Sequence, residues 1–339
     1  MELSLYNIRL IRKDELKKLQ EFLDVYWKEN HILCVSDAMF EFQHGKAENG
    51  LYDFLVAEHI ETSEFHAVLG FINSSTYDGG DWNHPSSIWG AVWKVRDDVH
   101  NKEISKIGLG ILFHLIKMFP DVPYCTSGLS RFAKSIYDAI HFHFSTMTQY
   151  YIANPCCHEF KIAAHPVVKS APDASLNVKM RALTEIPEID CMYLPQKNKA
   201  YIEGRYVNHP FYRYFFWGVY IGGELKTIWV IRSIEVNQSV CLRIVDMIGQ
   251  FNYSDSLLTE AGKLLCQYKA EYMDCYNFGI DSSVFAQWGF TVLGGDTIIP
   301  NYFEPYERCN VDLHCAYYAS SPVVMFKADG DQDRPSIIK

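Results

Sequence analysis

The chain has no long apolar run and no concentrated positive charge. Its nearest approach to an apolar run, from Phe215 to Gly223, is far shorter than the roughly 18 residues that a membrane-spanning helix needs. There are 31 lysine and arginine residues against 41 aspartate and glutamate residues, a net charge of −10, and the cationic residues form no dense block. Surfaces that bind nucleic acids or anionic membranes carry clustered positive charge. We therefore expect no nucleic-acid binding and no membrane insertion.

Cysteine patterns that hold metals are also missing. The ten cysteines include no C-x-x-C pair and no spacing typical of zinc sites, so we expect no metal. The first residues, MELSLYNIRLIRKDE, lack the apolar stretch of a secretory signal. We therefore expect a cytoplasmic protein with reduced thiols, as a monomer or a homodimer.

The length and composition indicate a two-domain globular protein. With 339 residues, 48% of them hydrophobic, the chain can bury a large core. Short apolar or alternating runs are interspersed with stretches of helical spacing, so the predicted fold class is α/β (α+β). The predicted strands are 6–12, 51–58, 65–74, 88–95, 121–130, 149–153, 177–183, 212–220, 226–234, 240–248, 272–279, 297–300, 312–318 and 322–327. The predicted helices are 16–29, 107–119, 131–144, 255–268 and 282–287.

One stretch, Ser87 to Phe119, suggests a site for an anion. An apolar strand crosses a charged loop to Gly108-Leu109-Gly110, and a helical repeat follows. Backbone N–H groups at the start of a helix can bind a phosphate, and glycines let the backbone approach it. A tight packing turn explains the same pattern, so the stretch alone does not decide between the two readings.

An internal repeat divides the chain. Strand 88–95 corresponds to 240–248, and helix 107–119 corresponds to 255–268, at an offset of about 150 residues. Two prolines and small polar residues mark a linker between the copies. We expect one domain at 1–160, a linker at 161–176 and a second domain at 177–339.

These features resemble the GNAT superfamily of CoA-dependent N-acyltransferases, present here as a tandem pair. The family's phosphate-binding turn corresponds to Ser105–Gly110, which keeps both glycines but not the usual leading Arg or Gln. The family's later helix pattern corresponds to Ala133 to Phe142, with Tyr137 in place and His141 where glycine is usual. The resemblance implies two mixed, twisted sheets flanked by helices, and acyl-CoA bound as co-substrate. The implied cofactor-binding residues are Val92, Trp93, Lys94, Val95, Lys106, Ile107, Gly108, Leu109, Gly110 and Ile111.

The second copy departs from this pattern. Residues 250–256 contain no Gly-x-Gly, and Phe285 replaces the tyrosine. If the glycines served packing alone, the copy would need them too. We therefore expect CoA in the first domain and acceptor binding in the second.

Over its whole length the chain is similar to tandem-GNAT sugar N-acyltransferases of bacterial surface-polysaccharide synthesis. The similar segments are 88–94, 149–154, 206–212, 242–246, 299–305 and 326–335. The similarity implies transfer of a 3-hydroxybutanoyl or acetyl group to the amino group of a dTDP-linked amino-dideoxy sugar, for O-antigen or capsule. Two alternatives remain: a tandem-GNAT aminoacyl-tRNA-dependent transferase, which the net charge disfavours, and a non-catalytic binding module.

Candidate roles follow from the chemistry of acyl transfer. Tyr137 matches the family's general acid, although a packing aromatic would look the same. His209, Asp246 and His141 are candidate bases, each with a structural alternative. The acidic tail ending at Arg334 is either a frayed terminus or an ordered part of the site. The predicted substrate-binding residues are Asn208, Tyr212, Asn301, Glu304, Asp331, Gln332 and Arg334.

Overall fold

A computed structural model describes residues 3–46, 50–131, 133–170 and 177–336. The strands among them are β1 (Tyr6–Arg12), β2 (Gly45–Lys46), β3 (Leu51–His59), β4 (Phe65–Asn73), β5 (Ile88–Val95), β6 (Tyr124–Leu129), β7 (His143–Ala153), β8 (Val178–Ala182), β9 (Phe215–Ile221), β10 (Glu224–Val236), β11 (Ser239–Gly249), β12 (Ala270–Phe278), β13 (Thr291–Val292), β14 (Leu313–Tyr318) and β15 (Met325–Phe326). The α-helices are α1 (Leu16–Tyr26), α2 (Ile32–Val35), α3 (Asp37–His44), α4 (Ser75–Asp78), α5 (Ile104–Met118), α6 (Ala133–Ala139), α7 (Lys199–Ile202), α8 (Leu258–Tyr268) and α9 (Ser282–Trp288).

The strands form one mixed sheet in the order β1-β3-β4-β5-β6-β14-β7-β12-β11-β10-β9-β8. The long strand β7 joins the two halves, because its first part pairs with β14 and its second part pairs with β12. Strand β14, from the C-terminal part of the chain, lies between β6 and β7. The two predicted domains therefore share a continuous sheet, while their boundaries remain a prediction.

The long helices form where apolar residues recur at helical spacing. In α5 the buried face includes Ile107, Ile111, Leu112 and Leu115, which pack with residues of β3, β4 and β5. In α8 the corresponding face is Leu258, Ala261, Leu264 and Leu265, which pack in the core of the second half. The repeat predicted from the sequence is thus present as two copies of a strand, a helix and a parallel strand.

Several predicted elements have other bounds in the structure; the helix predicted at 131–144, for example, is α6 and ends at Ala139. Helix α5 begins at Ile104 rather than at 107. Strand β7 begins at His143 rather than at 149, because its first part pairs with β14, which is distant in sequence. The segment 297–300, predicted as a strand, makes only a single bridge, between Ile298 and Ala164. This bridge joins Ile298 to the predicted linker through two backbone hydrogen bonds.

The described part of the predicted linker, 161–170, begins as a packed segment. Glu271 accepts the backbone N–H groups of Lys161, Ile162 and Ala163, and the last two are buried. Residues 171–176 lie outside the described residues. In the part of the chain that the structure describes, no helix is both long and apolar enough to cross a membrane.

Candidate functional site

The central parallel pair of the first half separates into a V. Strands β5 and β6 pair only from Ile88 to Gly90, and no strand of the described residues lies between their diverging ends. A bulge at this point places Ala91 and Val92 opposite the single residue Gly70. A bulge interrupts the ladder and redirects backbone groups next to the gap. The predicted cofactor residues Val92 to Val95 lie on this diverging end of β5.

Tyr137 faces the same gap from α6. It is buried, and its ring lies 6.1 Å from that of Trp93 and 5.2 Å from that of Phe142. Burial raises the pKa of Tyr137 to about 12, although the neighbouring hydroxyls of Tyr124 and Thr126 act to lower it. Both neighbours lie in the part of β6 that pairs with β5. A phenol in this setting is protonated at neutral pH, as a general acid must be.

The two glycines lie inside α5 and not ahead of it, so the predicted order of turn and helix is wrong. Asn101 Oδ1 accepts the N–H groups of Glu103 and Ile104 and starts the helix earlier. A Cβ on Gly108 would lie 3.2 Å from Val95 Cγ2 and 3.6 Å from the Trp93 ring. Gly108 therefore lets α5 pack closely on β5. Binding of CoA by residues 106–111 remains a prediction.

The corresponding gap in the second half is filled. Strands β11 and β12 pair from Val240 to Ile244, and beyond that point β15 pairs with the end of β12. The next segment continues the seal, because Ala328 N–H donates to the carbonyl of Val245. The C-terminal segment, defined here as residues 323–329, thus fills the gap between β11 and β12. In the first half, no described strand fills the corresponding gap between β5 and β6.

A buried ion cluster fixes the C-terminal segment in this position. Lys197 Nζ lies 2.8 Å from Asp246 and 2.7 Å from Asp329, and all three side chains are fully buried. Tyr206 and the backbone N–H of Met247 also donate to Asp246. Burial raises the pKa of Asp246 to about 6, and Lys197 opposes that rise. Since each carboxylate oxygen already accepts two hydrogen bonds, these contacts favour a structural role for Asp246 over the predicted base.

The histidine candidates are also poorly placed for proton uptake. His209 is buried, and its Nδ1 accepts the backbone N–H groups of Phe211 and Tyr212. Burial lowers its pKa to about 3, so the ring is neutral with its proton on Nε2. His141 is exposed and follows α6 with a φ of 63°. A catalytic role for either residue stays a prediction that its contacts do not favour.

A cavity of about 340 Å³ contains most of the predicted substrate-binding residues. Tyr212, Asn301, Glu304, Gln332 and Arg334 line it. The cavity lining does not include Asn208, which is exposed, or Asp331, which is buried. The fold therefore brings five of the predicted residues, from three segments that are distant in sequence, to one cavity.

The tail is ordered rather than frayed. Arg334 donates to Gln43 Oε1 of α3 at 2.9 Å and pairs with Asp331 at 2.9 Å. Gln332 Nε2 donates to the carbonyl of Ser127, just beyond the last β6 residue that pairs with β5. Gln332 thereby connects the wall of the cavity to β6, next to the gap in the first half.

Cations and unpartnered donors characterise the cavity. Arg232 pairs with Asp333 at 3.2 Å, and its guanidinium lies 3.9 Å from the centre of the Tyr212 ring. Among the described residues, Arg232 Nε and Asn301 Nδ2 have no hydrogen-bond partner. Buried donors without partners are costly unless a ligand or water accepts from them. The cavity therefore suits a ligand rich in anionic or carbonyl oxygens.

Sequence analysis missed several residues of the cavity, in particular Arg232 and Lys327. Lys327 interrupts the apolar run Val323 to Ala328, and a lone lysine in such a run is a detectable signal. Arg232 gives no such signal, because a charged residue in a hairpin strand is ordinary. The described residues contain no group of side chains that could hold a metal ion.

Comparisons with known proteins identify the fold. The sequence matches no protein-family model and no curated protein. A GCN5-related N-acetyltransferase from Anabaena variabilis aligns over 91% of this chain and 72% of its own, with a TM-score of 0.54 and 9% identity. Weaker matches include a tandem GNAT protein from the clavulanic acid biosynthesis pathway (94% and 99% covered, TM-score 0.46, 10% identity). Another is Saccharomyces cerevisiae N-myristoyltransferase with bound myristoyl-CoA (96% and 81% covered, TM-score 0.43, 11% identity). The chain has a GNAT-type fold, as the sequence predicted, and that conclusion rests on the first match.

Proposed function

We propose that the protein is a CoA-dependent N-acyltransferase. Acyl-CoA binds at the gap between β5 and β6, and the acceptor amine enters from the cavity that Tyr212, Asn301 and Glu304 line. The acceptor is a nucleotide-linked amino sugar, with a dTDP-linked amino-dideoxy hexose as the first candidate. The acyl group is 3-hydroxybutanoyl or acetyl, and the product serves O-antigen or capsule synthesis.

The observation that carries the proposal is the asymmetry between the two gaps. In the first half the gap keeps Tyr137 and the bulge at Ala91 and Val92 beside it. In the second half the C-terminal segment fills the gap, and Phe285 stands in place of the tyrosine. One half has the groups for acyl transfer, and the other half contributes the cavity.

The cavity has the chemistry that a nucleotide sugar requires. Arg213 and Arg232 supply positive charge for a diphosphate. Phe211, Phe215, Tyr302 and Phe303 supply flat apolar faces for a base or a sugar ring. Glu235 and Glu304 can accept hydrogen bonds from sugar hydroxyls.

In the proposed reaction the ammonium group of the acceptor first loses one proton. The neutral amine then attacks the thioester carbonyl, and a backbone N–H at the bulge stabilises the developing oxyanion. Collapse of the intermediate breaks the C–S bond, and Tyr137 donates its proton to the leaving thiolate. The second proton that the nitrogen loses restores the phenol. The products are the amide, free CoA and one proton.

Thiol release tests the proposal directly. The protein is mixed with acetyl-CoA or 3-hydroxybutanoyl-CoA and a series of dTDP-linked amino sugars, and free CoA is followed with a thiol reagent. We expect release that depends on the acceptor and an N-acylated sugar by mass spectrometry. Acceptor-independent background rates with every pair would contradict the proposal, while deacylation of aminoacyl-tRNA without any CoA would support the alternative transferase.

A further inference from the structure

Lys327 is a buried amine without an acidic partner in the cavity. Its side chain is 5% exposed and lines the cavity. Within the described ranges no carboxylate forms an ion pair with it, whereas the equally buried Lys197 has two carboxylate partners. A buried, unpaired ammonium group is strongly disfavoured, so burial favours the neutral form of the amine at this position.

The backbone around Lys327 is held on both sides. The residue directly follows β15, which pairs with β12, and Ala328 N–H donates to Val245 O. Asp329 N–H donates to Phe326 O and closes the segment. The backbone position of Lys327 at the cavity is therefore fixed by hydrogen bonds before and after it.

The charges around Lys327 come from each neighbouring element. Arg232 lies on β10, Arg243 on β11, Asp274 on β12, and Asp333 in the tail. Burial and then Arg243 lower the pKa of Lys327 to about 7. The nearby acids are already engaged, because Asp274 pairs with Arg243 at 2.7 Å and Asp333 pairs with Arg232.

The amine also lies on the acceptor side of the proposed reaction. The cavity wall reaches the first half through Gln332, which donates to Ser127 O beside the gap between β5 and β6. Asp246 has four hydrogen bonds, and His209 uses its free lone pair on backbone N–H groups. Neither can therefore take up a proton as readily as a neutral lysine that lines the cavity.

We propose that Lys327, in its neutral form, is the general base that takes a proton from the ammonium group of the acceptor. The proposal rests on the proposed function. The N–H bond of the acceptor breaks, the proton moves to Lys327 Nζ, and the freed lone pair attacks the thioester carbonyl. Lys327 then releases this proton to solvent, which is the one proton that the overall reaction produces.

The protonation of Lys327 can be measured without any substrate. Acetic anhydride acylates only neutral amines, so trace labelling between pH 5 and 11, read by peptide mass spectrometry, reports the titration of each lysine. We expect half-maximal labelling of Lys327 near pH 7, several pH units below the roughly 10.4 of a lysine side chain in a model peptide. Half-maximal labelling of Lys327 near that reference value would overturn the proposal.

Variants test the catalytic role. Lys327→Met and Lys327→Arg should each lower kcat/KM at pH 7 by roughly 100-fold, within the range for removal of a general base. Lys327→Ala should regain activity when methylamine is added, and it should lose the acid limb of the pH profile that wild type shows near pH 7. Lys199→Arg is the matched control, and thermal melting checks that each variant is folded.

The outcomes separate the two proposals. Wild-type rates in Lys327→Arg would show that only the charge matters, and they would overturn the base assignment. Absence of rescue in a folded Lys327→Ala protein would do the same. If wild type transfers to no acceptor, the proposed function fails, while the labelling experiment still decides whether Lys327 is neutral.

Discussion

Tyr137 is buried next to strands β5 and β6. Rings of Trp93 and Phe142 surround it, yet its hydroxyl lies by those of Tyr124 and Thr126. In the second half the corresponding Phe285 stacks on Tyr150 with ring centres 3.9 Å apart. Packing alone is therefore satisfied by a phenyl ring, and the hydroxyl in the first half calls for another explanation.

Removal of this hydroxyl should separate chemistry from packing. Tyr137→Phe should lower kcat by roughly 100-fold or more, because a general acid contributes at least that factor, and leave KM for acyl-CoA nearly unchanged. Steady-state kinetics provide the measurement. Tyr253→Phe, which removes a buried hydroxyl in the second half, is the control and should keep its kcat. Full activity in Tyr137→Phe would remove the acid assignment.

Buried neutral histidines should make the fold sensitive to acid. Burial lowers the pKa of His31, His44 and His209 to about 2, 4 and 3. The unfolded chain takes up protons below about pH 6.5 that the folded chain does not, so stability is full above 6.5 and falls with decreasing pH. The expected slope is about 1.4 kcal/mol per pH unit for each histidine.

Urea denaturation at pH 7, 6 and 5 measures this slope. His209→Asn should reduce the loss of stability between pH 6 and 5 relative to wild type. Equal slopes for wild type and His209→Asn would show that His209 is not neutral in the fold.

Some residues that the sequence singled out lie together in the fold, although their binding role stays a prediction. Tyr212, Asn301, Glu304, Gln332 and Arg334 were predicted from the resemblance, and the fold gathers them around one cavity. The glycines of α5 were misplaced, because the side chain that starts the helix, Asn101, lies seven residues before Gly108. The lowered pKa of Lys327 depends on its burial first and then on charges from three strands and the tail, which sequence spacing does not report.

Among the elements, the C-terminal segment explains why the second gap has no room for a cofactor. Its position depends on Lys197, which lies between Asp246 and Asp329. Removal of one member of a buried ion cluster leaves uncompensated charge. We therefore expect Lys197 to contribute more to the free energy of unfolding than the nearby, more exposed Lys199.

Lys197→Met should lower the free energy of unfolding by about 3–5 kcal/mol, the usual cost of breaking a buried ion pair from one side. Lys199→Met, two residues away and more exposed, should change it by less than about 0.5 kcal/mol. Equilibrium unfolding in urea compares the two. Similar stabilities would mean that the cluster does not hold the segment.

Two exposed, free cysteines lie close together, one just after β7 and the other in α8. Cys156 Sγ and Cys266 Sγ lie 2.9 Å apart, on segments more than 100 residues apart in sequence. A mild oxidant such as diamide should form a disulfide here, remove two thiols from the titration and raise the melting temperature. Cys156→Ser should abolish the change, while Cys309→Ser should leave it intact. Loss of two thiols in Cys156→Ser would place the bond elsewhere.

Elements were predictable when their partners were near in sequence. Strands β1 and β5 have the predicted bounds, since alternation and flanking turns define them. The first part of β7 was missed because its partner β14 lies about 170 residues away. The polar and aromatic residues from His143 to Met147 do not form a clear alternating pattern without that partner.

At the scale of the whole molecule, β7 and β14 merge the two halves. Strand β7 leaves the first half to pair with β12, and β14 returns to lie between β6 and β7. The tail then ties Gln332 and Arg334 to the first half. The gap between β5 and β6 and the cavity are therefore connected through one continuous sheet and the tail, which the repeat in the sequence did not reveal.

Isothermal titration of CoA tests whether only one gap binds the cofactor. We expect one molecule of CoA per chain. Gly108→Val should weaken binding about tenfold or more, since a side chain there meets Val95 and Trp93. Gly262→Val, at the matching helix of the second half, has more room and should bind like wild type. Two molecules of CoA per chain, or equal weakening by both folded variants, would contradict a single cofactor site in the first half.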